Sequence, residues 1–283
     1  MIIWLASYPK SGNTWVRSLI SSYYYSKNSF QFSDLKNIPN FSVGNFISEP
    51  SMLKNNMDVV EQWLNVQKSI TKKKRNTFFK THNACVSINN NLFTNNDYSS
   101  GCIYIVRDPR NVITSYKNFE NVSYGKILNQ MTNREGVLFA HRDFETKFGF
   151  KGFEFIGSWA DNYNTWVKNK LAIPVHLVKY ENLVKNTIGE LKKILEFIGK
   201  CQNLQNFKFD LEKAQKSIED TSFNSLSKME NLEGFDEVSQ REKDTKFFNM
   251  GERNNWNETL PKNIKEKIEE IFRNEMRELG YIV

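Results

Sequence analysis

Apolar residues recur along this chain with two different periods. The run "IIWLAS" (2–7) is continuous and apolar and stops at a Pro-Lys-Ser-Gly turn, which predicts a short buried strand. Residues 13–25 follow with Trp15, Val16, Leu19, Ile20 and Tyr23 at helical spacing. Residues 30–57 are rich in Asn, Ser and Pro and predict irregular structure. Helical spacing returns over 58–74, in Val59, Val60, Trp63, Leu64 and Ile70. "TFFKTH" (77–82) predicts a second strand and "CIYIVRDPR" (102–110) a third, stopped by Asp108 and Pro109. A helix is predicted over 111–119, while residues 120–152 show no clear period. Further on come a helix over 157–170, a fourth strand with a polar tip over 173–183, and a helix over 188–199 closed by Gly199. Residues 200–256 are mixed, and a final helix over 261–280 has Pro near its start and Gly at its end.

Strands that alternate with helices imply a parallel sheet covered on both faces. The expected fold is therefore α/β, with three layers and a central parallel sheet. There is no internal repeat or long linker, so 1–283 is read as one domain.

Composition adds limits. The chain is 39% hydrophobic and 25% charged, ordinary values for a soluble globular protein. Its net charge of +7 suits an anionic partner but does not choose one. The densest basic run, Lys72 to Arg75, reads as a solvated helix end, and no nucleic-acid module is present. Cys85, Cys102 and Cys201 are far apart, which suggests neither a zinc site nor a disulfide framework and fits the reduced cytoplasm. The early apolar run is too short for a signal peptide, and no stretch is long enough to span a membrane.

In doubly wound sheets, ligands sit beyond the carboxyl ends of the strands. Three such ends carry candidate chemistry. The first is "SYPKSGNTW": Gly12 permits close backbone approach, the next helix offers free N–H groups, and Lys10 adds a full charge. Ser11, Asn13 and Thr14 add hydrogen-bonding groups, so the turn reads as a phosphate cradle. It is not the common P-loop, because Lys precedes Gly and no upstream glycine exists. An ordinary strand-turn-helix would use the same Pro and Gly. The second end holds Lys80, Thr81 and His82, where a neutral histidine can accept a proton from a hydroxyl. His141 and His176 read as exposed or structural. The third end places Arg107 at a strand tip with Ser115 eight residues later, and arginine suits forked phosphate recognition. Asp108 reads as a turn residue and not as a metal ligand.

Together, "YPKSGNTW", "KTH" and "YIVRDPRNVITSY" resemble the signature segments of the cytosolic-type sulfotransferases, in the same order. "GSWADNYNTW", "VKYENL", "TSF" and "MGERNNW" resemble later segments, so the resemblance spans nearly the whole chain. It implies a P-loop-like fold, the donor 3'-phosphoadenosine-5'-phosphosulfate and no required metal. By match, Lys10, Ser11, Gly12, Asn13 and Thr14 would hold the 5'-phosphosulfate, and Trp15 would lie by the adenine. Arg107 and Ser115 would bind the 3'-phosphate. Tyr180 and Phe223 would contact the adenine, with Thr221 close by. His82 would be the base, and Lys10 and Lys80 would stabilise charge on the transferring group. The chain departs from the family's late Arg-Lys-Gly: it has Asn249, Met250 and Gly251, and Arg253 is the nearby cation that would take over. Asn162 stands where many members have His and reads as structural.

The resemblance therefore implies sulfuryl transfer to a hydroxyl or amine of a small-molecule or glycan acceptor. Phe119, Tyr124, Phe139, Phe144 and Phe148 read equally as acceptor lining or as core. The alternatives are a kinase-like P-loop transferase and a non-catalytic nucleotide-binding protein. Kinase chemistry normally needs Mg²⁺ held by acidic residues.

Overall fold

A computed structural model of the chain describes residues 1–72, 76–139, 153–237, 246–251 and 254–283. Its centre is a four-stranded parallel sheet in the order β2-β1-β5-β8. The strands are β1 (Ile2–Ser7), β2 (Thr77–Thr81), β5 (Ser99–Val106) and β8 (Val175–Lys179). Two short antiparallel pairs lie outside it, β3 (Ser87–Ile88) with β4 (Asn91–Leu92) and β6 (Val137–Phe139) with β7 (Phe153–Phe155).

Every residue of β1 is buried, because successive side chains enter opposite layers. Ile2, Trp4 and Ala6 join one core, with Phe79 and Tyr104 from the neighbouring strands. Ile3 and Leu5 join the other, with Phe78, Ile103, Ile105 and Val178. The first core is covered by α2 (Asn56–Thr71), α3 (Pro109–Glu120), α4 (Tyr124–Thr132) and α5 (Trp159–Val167). The second is covered by α1 (Asn13–Tyr25), α7 (Thr187–Cys201) and Ala214 of α8 (Leu211–Asp220). The expected three-layer α/β architecture is the observed one.

The other α-helices among the described residues are α6 (Tyr180–Lys185), α9 (Phe223–Glu233), the short α10 (Trp256–Thr259), α11 (Lys262–Ile271) and α12 (Arg273–Glu278). Several local expectations differ. The fourth strand stops at Lys179, and its expected polar tip is helix α6. Gly199 does not close its helix. It lies inside α7, where a Cβ would come within 3.0 Å of Phe207, and the helix runs on to Cys201 with Asn203 left-handed beyond it. The final helix is two helices, parted at Phe272 where φ is −103°. Residues 124–132, read as aperiodic, form α4 with Ile127, Leu128 and Met131 buried. Residues 73–75 of the basic run, and His141, Phe144, Phe148 and Arg253, lie outside the described residues.

Register brings the strand ends level. Ala6 pairs with Thr81 and with Tyr104, and Val106 pairs with Lys179. The residues just beyond the strands, 8–12, His82, Arg107 and Tyr180, therefore share one edge of the sheet.

Candidate active site at the strand tips

The β1–α1 turn is built around two left-handed residues, Lys10 at φ 64° and Gly12 at φ 102°. Gly12 is needed twice over: its φ suits glycine, and a Cβ there would lie 2.5 Å from the Tyr180 ring. α1 then begins at Asn13 with no side-chain cap, so its first N–H groups are left for a ligand. Asn13 braces the turn from behind. Its amide donates to the Leu5 carbonyl at 3.1 Å and to Ser7 Oγ at 3.2 Å. Of the Asn13 groups expected to meet the donor, the backbone N–H at the helix start is the one this leaves.

Four cations converge on the turn. The Lys10 ammonium stands 3.7 Å from the Phe119 ring centroid and 4.3 Å from that of Phe247. Burial, aided by Lys80 and Arg107, pushes its pKa down to about 7. Lys80 is only 6% exposed, so it is not a solvated strand end. Arg107 stacks over Tyr180 at 4.1 Å and donates to the Lys10 carbonyl at 3.5 Å. Arg17, one turn into α1, is also buried.

Glu237 sits among them. Its carboxylate pairs with Arg17, accepts from Lys80 Nζ at 2.8 Å and accepts from Thr14 Oγ1 at 3.4 Å. Lys80 and Arg17 outweigh burial and hold this carboxyl well below the usual carboxylate range.

His82 follows β2. Its Nδ1 is 2.8 Å from the Ser7 carbonyl oxygen, which only accepts, so Nδ1 carries the proton and Nε2 keeps the free lone pair. Burial first, with Lys80 adding, lowers the imidazole pKa against the opposing pull of Glu154. That favours the neutral form. The turn is clamped by Glu154, which accepts from the His82 N–H at 2.8 Å and from Thr81 Oγ1 at 3.1 Å. Asn162 adds a second clamp, donating to the His82 carbonyl at 3.0 Å and to the Ile156 carbonyl at 2.8 Å.

Arg107 lies at the sheet edge with Lys10, and Ser115 is half-buried on α3. Asp108 is committed as the α3 cap and as the partner of Arg110 at 2.6 Å. Trp15 meets Tyr180 edge-to-face at 5.7 Å. Thr221 is buried with its hydroxyl donating to the Ser217 carbonyl, and the Phe223 ring lies against Gly251. Of the aromatic candidates, Phe119 faces Lys10, and the Tyr124 hydroxyl donates to the Thr259 carbonyl. The side chain of Phe139 is outside the described residues.

Sequence reading missed Arg17, Phe247 and Glu237. Arg17 left a signal, a basic residue three after Thr14 on the same helix face. Glu237 left none, being more than 200 residues from the turn it enters.

The chain is similar in sequence and in fold to known proteins. The chain is 23% identical to "Sulfotransferase 1E1" of Mus musculus over 278 residues, 97% of this chain and 83% of that one. It is 23% identical to "Cytosolic sulfotransferase 16" of Arabidopsis thaliana over 294 residues, 98% and 77% of the two chains. Its fold is similar to that of mouse sulfotransferase SULT7A1 complexed with PAP, with a TM-score of 0.56 and 18% identity over 97% of this chain and 83% of that one. The profile of the sulfotransferase domain matches residues 2–280, and the chain belongs to that family.

Proposed function

We propose that this sulfotransferase moves the sulfuryl group of 3'-phosphoadenosine-5'-phosphosulfate to a hydroxyl or amine of a small-molecule or glycan acceptor. We also propose that it works in the cytoplasm, a compartment that suits its three free cysteines. The residues present fit such a donor. Ser11 Oγ, Trp15 Nε1 and Arg107 Nε are buried without a partner among the described residues, beside a helix start with free N–H groups. Buried polar groups of this kind are normally satisfied, so an anionic nucleotide is their natural complement.

The observation that carries this reading is the pairing of a neutral, oriented His82 with Lys10 and Lys80 at one edge of the sheet. Bound there, the donor supplies the sulfuryl group and a phosphate that leaves. His82 Nε2 takes the acceptor's proton as the new bond forms, a role worth roughly 10²–10⁴ in rate. Lys10 meets charge growing on the bridging oxygen, and loss of such a donor costs ~10²–10³. Lys80 stabilises the transferring group. Arg107 and Ser115 hold the 3'-phosphate, Tyr180 and Trp15 flank the adenine, and Thr221 at the end of α8 and Phe223 at the start of α9 bound it. Gly251 lets the chain pass close to Phe223.

The test is transfer of labelled sulfate from the donor to a panel of phenols, alcohols, amines and glycans. Lys10→Ala and His82→Ala are expected to lose most transfer while staying folded. Near-wild-type turnover in both would refute the assigned roles.

A further inference from the structure

Glu237 pairs with cations of the cradle and bonds to three residues at once: Arg17, Lys80 and Thr14. Two of these, Lys80 and Thr14, are the residues assigned above to the donor's phosphosulfate. The third, Arg17, is 5% exposed and points one guanidinium nitrogen at Glu237 and the other at the Leu35 carbonyl at 2.9 Å. Its Nε is buried without a partner among the described residues. Arg17 is thus a fixed, largely desolvated fork, the form in which arginine recognises tetrahedral anions. The carboxylate is delivered by an aromatic anchor two residues earlier: Phe235 packs on Phe32 at 4.6 Å, on Phe247 at 4.9 Å and on Phe248 at 5.4 Å.

We propose that Glu237 occupies the donor's phosphosulfate seat in the free protein, and that Arg17 is a further donor-binding residue which passes from Glu237 to the donor's anionic group. This rests on the functional reading above. Cations brought together in a dry cradle repel one another, and an internal carboxylate relieves this until a stronger anion enters. A seat already filled makes the binding-competent state a fraction of the population, which weakens apparent affinity by that fraction. Glu237 would then set how readily donor enters and product leaves. A purely structural ion pair makes the opposite demand, since removing the carboxylate would leave affinity unchanged or lower.

The experiment titrates wild type, Glu237→Gln and the double variant Arg17→Ala/Glu237→Gln with adenosine 3',5'-bisphosphate and with the intact donor, without acceptor. Glu237→Gln is expected to bind both about tenfold more tightly than wild type, a typical size for one coupled contact. Adding Arg17→Ala should cost about tenfold of that affinity. The inference is overturned if Glu237→Gln binds no more tightly, or if the double variant equals Glu237→Gln. A second measurement needs no variant. Carbodiimide labelling of carboxyls in the wild type should rise at Glu237 when the bisphosphate is added, and unchanged or reduced labelling contradicts the exchange. If wild type and both variants bind neither nucleotide, the donor reading itself fails. If wild type binds as tightly as Glu237→Gln, only the role of Glu237 fails.

Discussion

The imidazole Nδ1 of His82 lies 2.8 Å from the backbone carbonyl oxygen of Ser7, across 75 residues of sequence. One bond from the end of β1 thereby fixes the tautomer of a side chain at the end of β2. The free Nε2 is the basic atom, and burial beside Lys80 keeps it unprotonated. His82→Asn separates the two nitrogens. An asparagine amide can keep the donation to Ser7 but offers no base. Turnover is expected to fall by roughly 10²–10⁴ while affinity for adenosine 3',5'-bisphosphate changes little. Steady-state kinetics with parallel calorimetry checks both halves.

Asn162 supports that geometry from below. It is fully buried, accepts from the Tyr104 hydroxyl at 2.9 Å and holds two carbonyls through its amide nitrogen. Asn162→Ala strands these partners in a dry site. The expected loss is about 2–4 kcal/mol in urea unfolding, because an unsatisfied buried group costs ~1–3 kcal/mol. Turnover should fall with it, through the displaced His82 turn.

Lys10 gives a pH signature. In the free protein its pKa is about 7, so above that pH donor binding must take up a proton. Affinity for adenosine 3',5'-bisphosphate should therefore weaken from pH 7 to 9, a range above the second phosphate pKa of about 6. Lys10→Met should flatten this slope. Linkage also sets the sign for stability. The unfolded chain carries Lys10 at its ordinary pKa of about 10.4 and so binds more protons between about 7 and 10. The Lys10 contribution to stability consequently rises with pH across that window. Calorimetric titrations and melts in matched buffers test the two effects.

Gly12→Ala should damage the cradle without touching a charged group. The residue must hold φ 102° and keep its Cα against the Tyr180 ring. A non-glycine residue in a sparsely populated region of this kind costs of order 1–3 kcal/mol, and here Tyr180 must shift as well. Melting temperature and nucleotide affinity should both drop.

Arg107→Ala should act on one phosphate. Losing a hydrogen bond to a charged group costs about 1.5–3 kcal/mol, or roughly ten- to a hundredfold in affinity. That loss is expected for the 3'-phosphorylated nucleotide. Affinity for adenosine 5'-phosphosulfate, which lacks the 3'-phosphate, should stay the same in variant and wild type.

Much of this site was legible because its parts are local. The boundaries of β1 and α1 follow from an apolar run, a Gly-containing turn and helical spacing within 25 residues. Lys10, His82 and Arg107 were legible because they stand shortly after strands, and Lys80 because it lies near the end of one, and a parallel sheet aligns such positions. What failed was set by tertiary contact. Residues 180–183 read as the polar tip of the fourth strand but turn helical, packing Tyr180 on Gly12. Gly199 resembles a cap but serves close packing against Phe207. Glu237 reaches the cradle through an aromatic cluster drawn from distant segments, and no spacing rule connects them.

The most direct measurement is calorimetric binding of adenosine 3',5'-bisphosphate in the absence of Mg²⁺, with wild type and Lys10→Ala side by side. Metal-independent binding that Lys10→Ala weakens strongly is the predicted result. No binding of the bisphosphate, together with tight binding of ATP and Mg²⁺, would contradict the assignment of this cradle to a phosphosulfate donor.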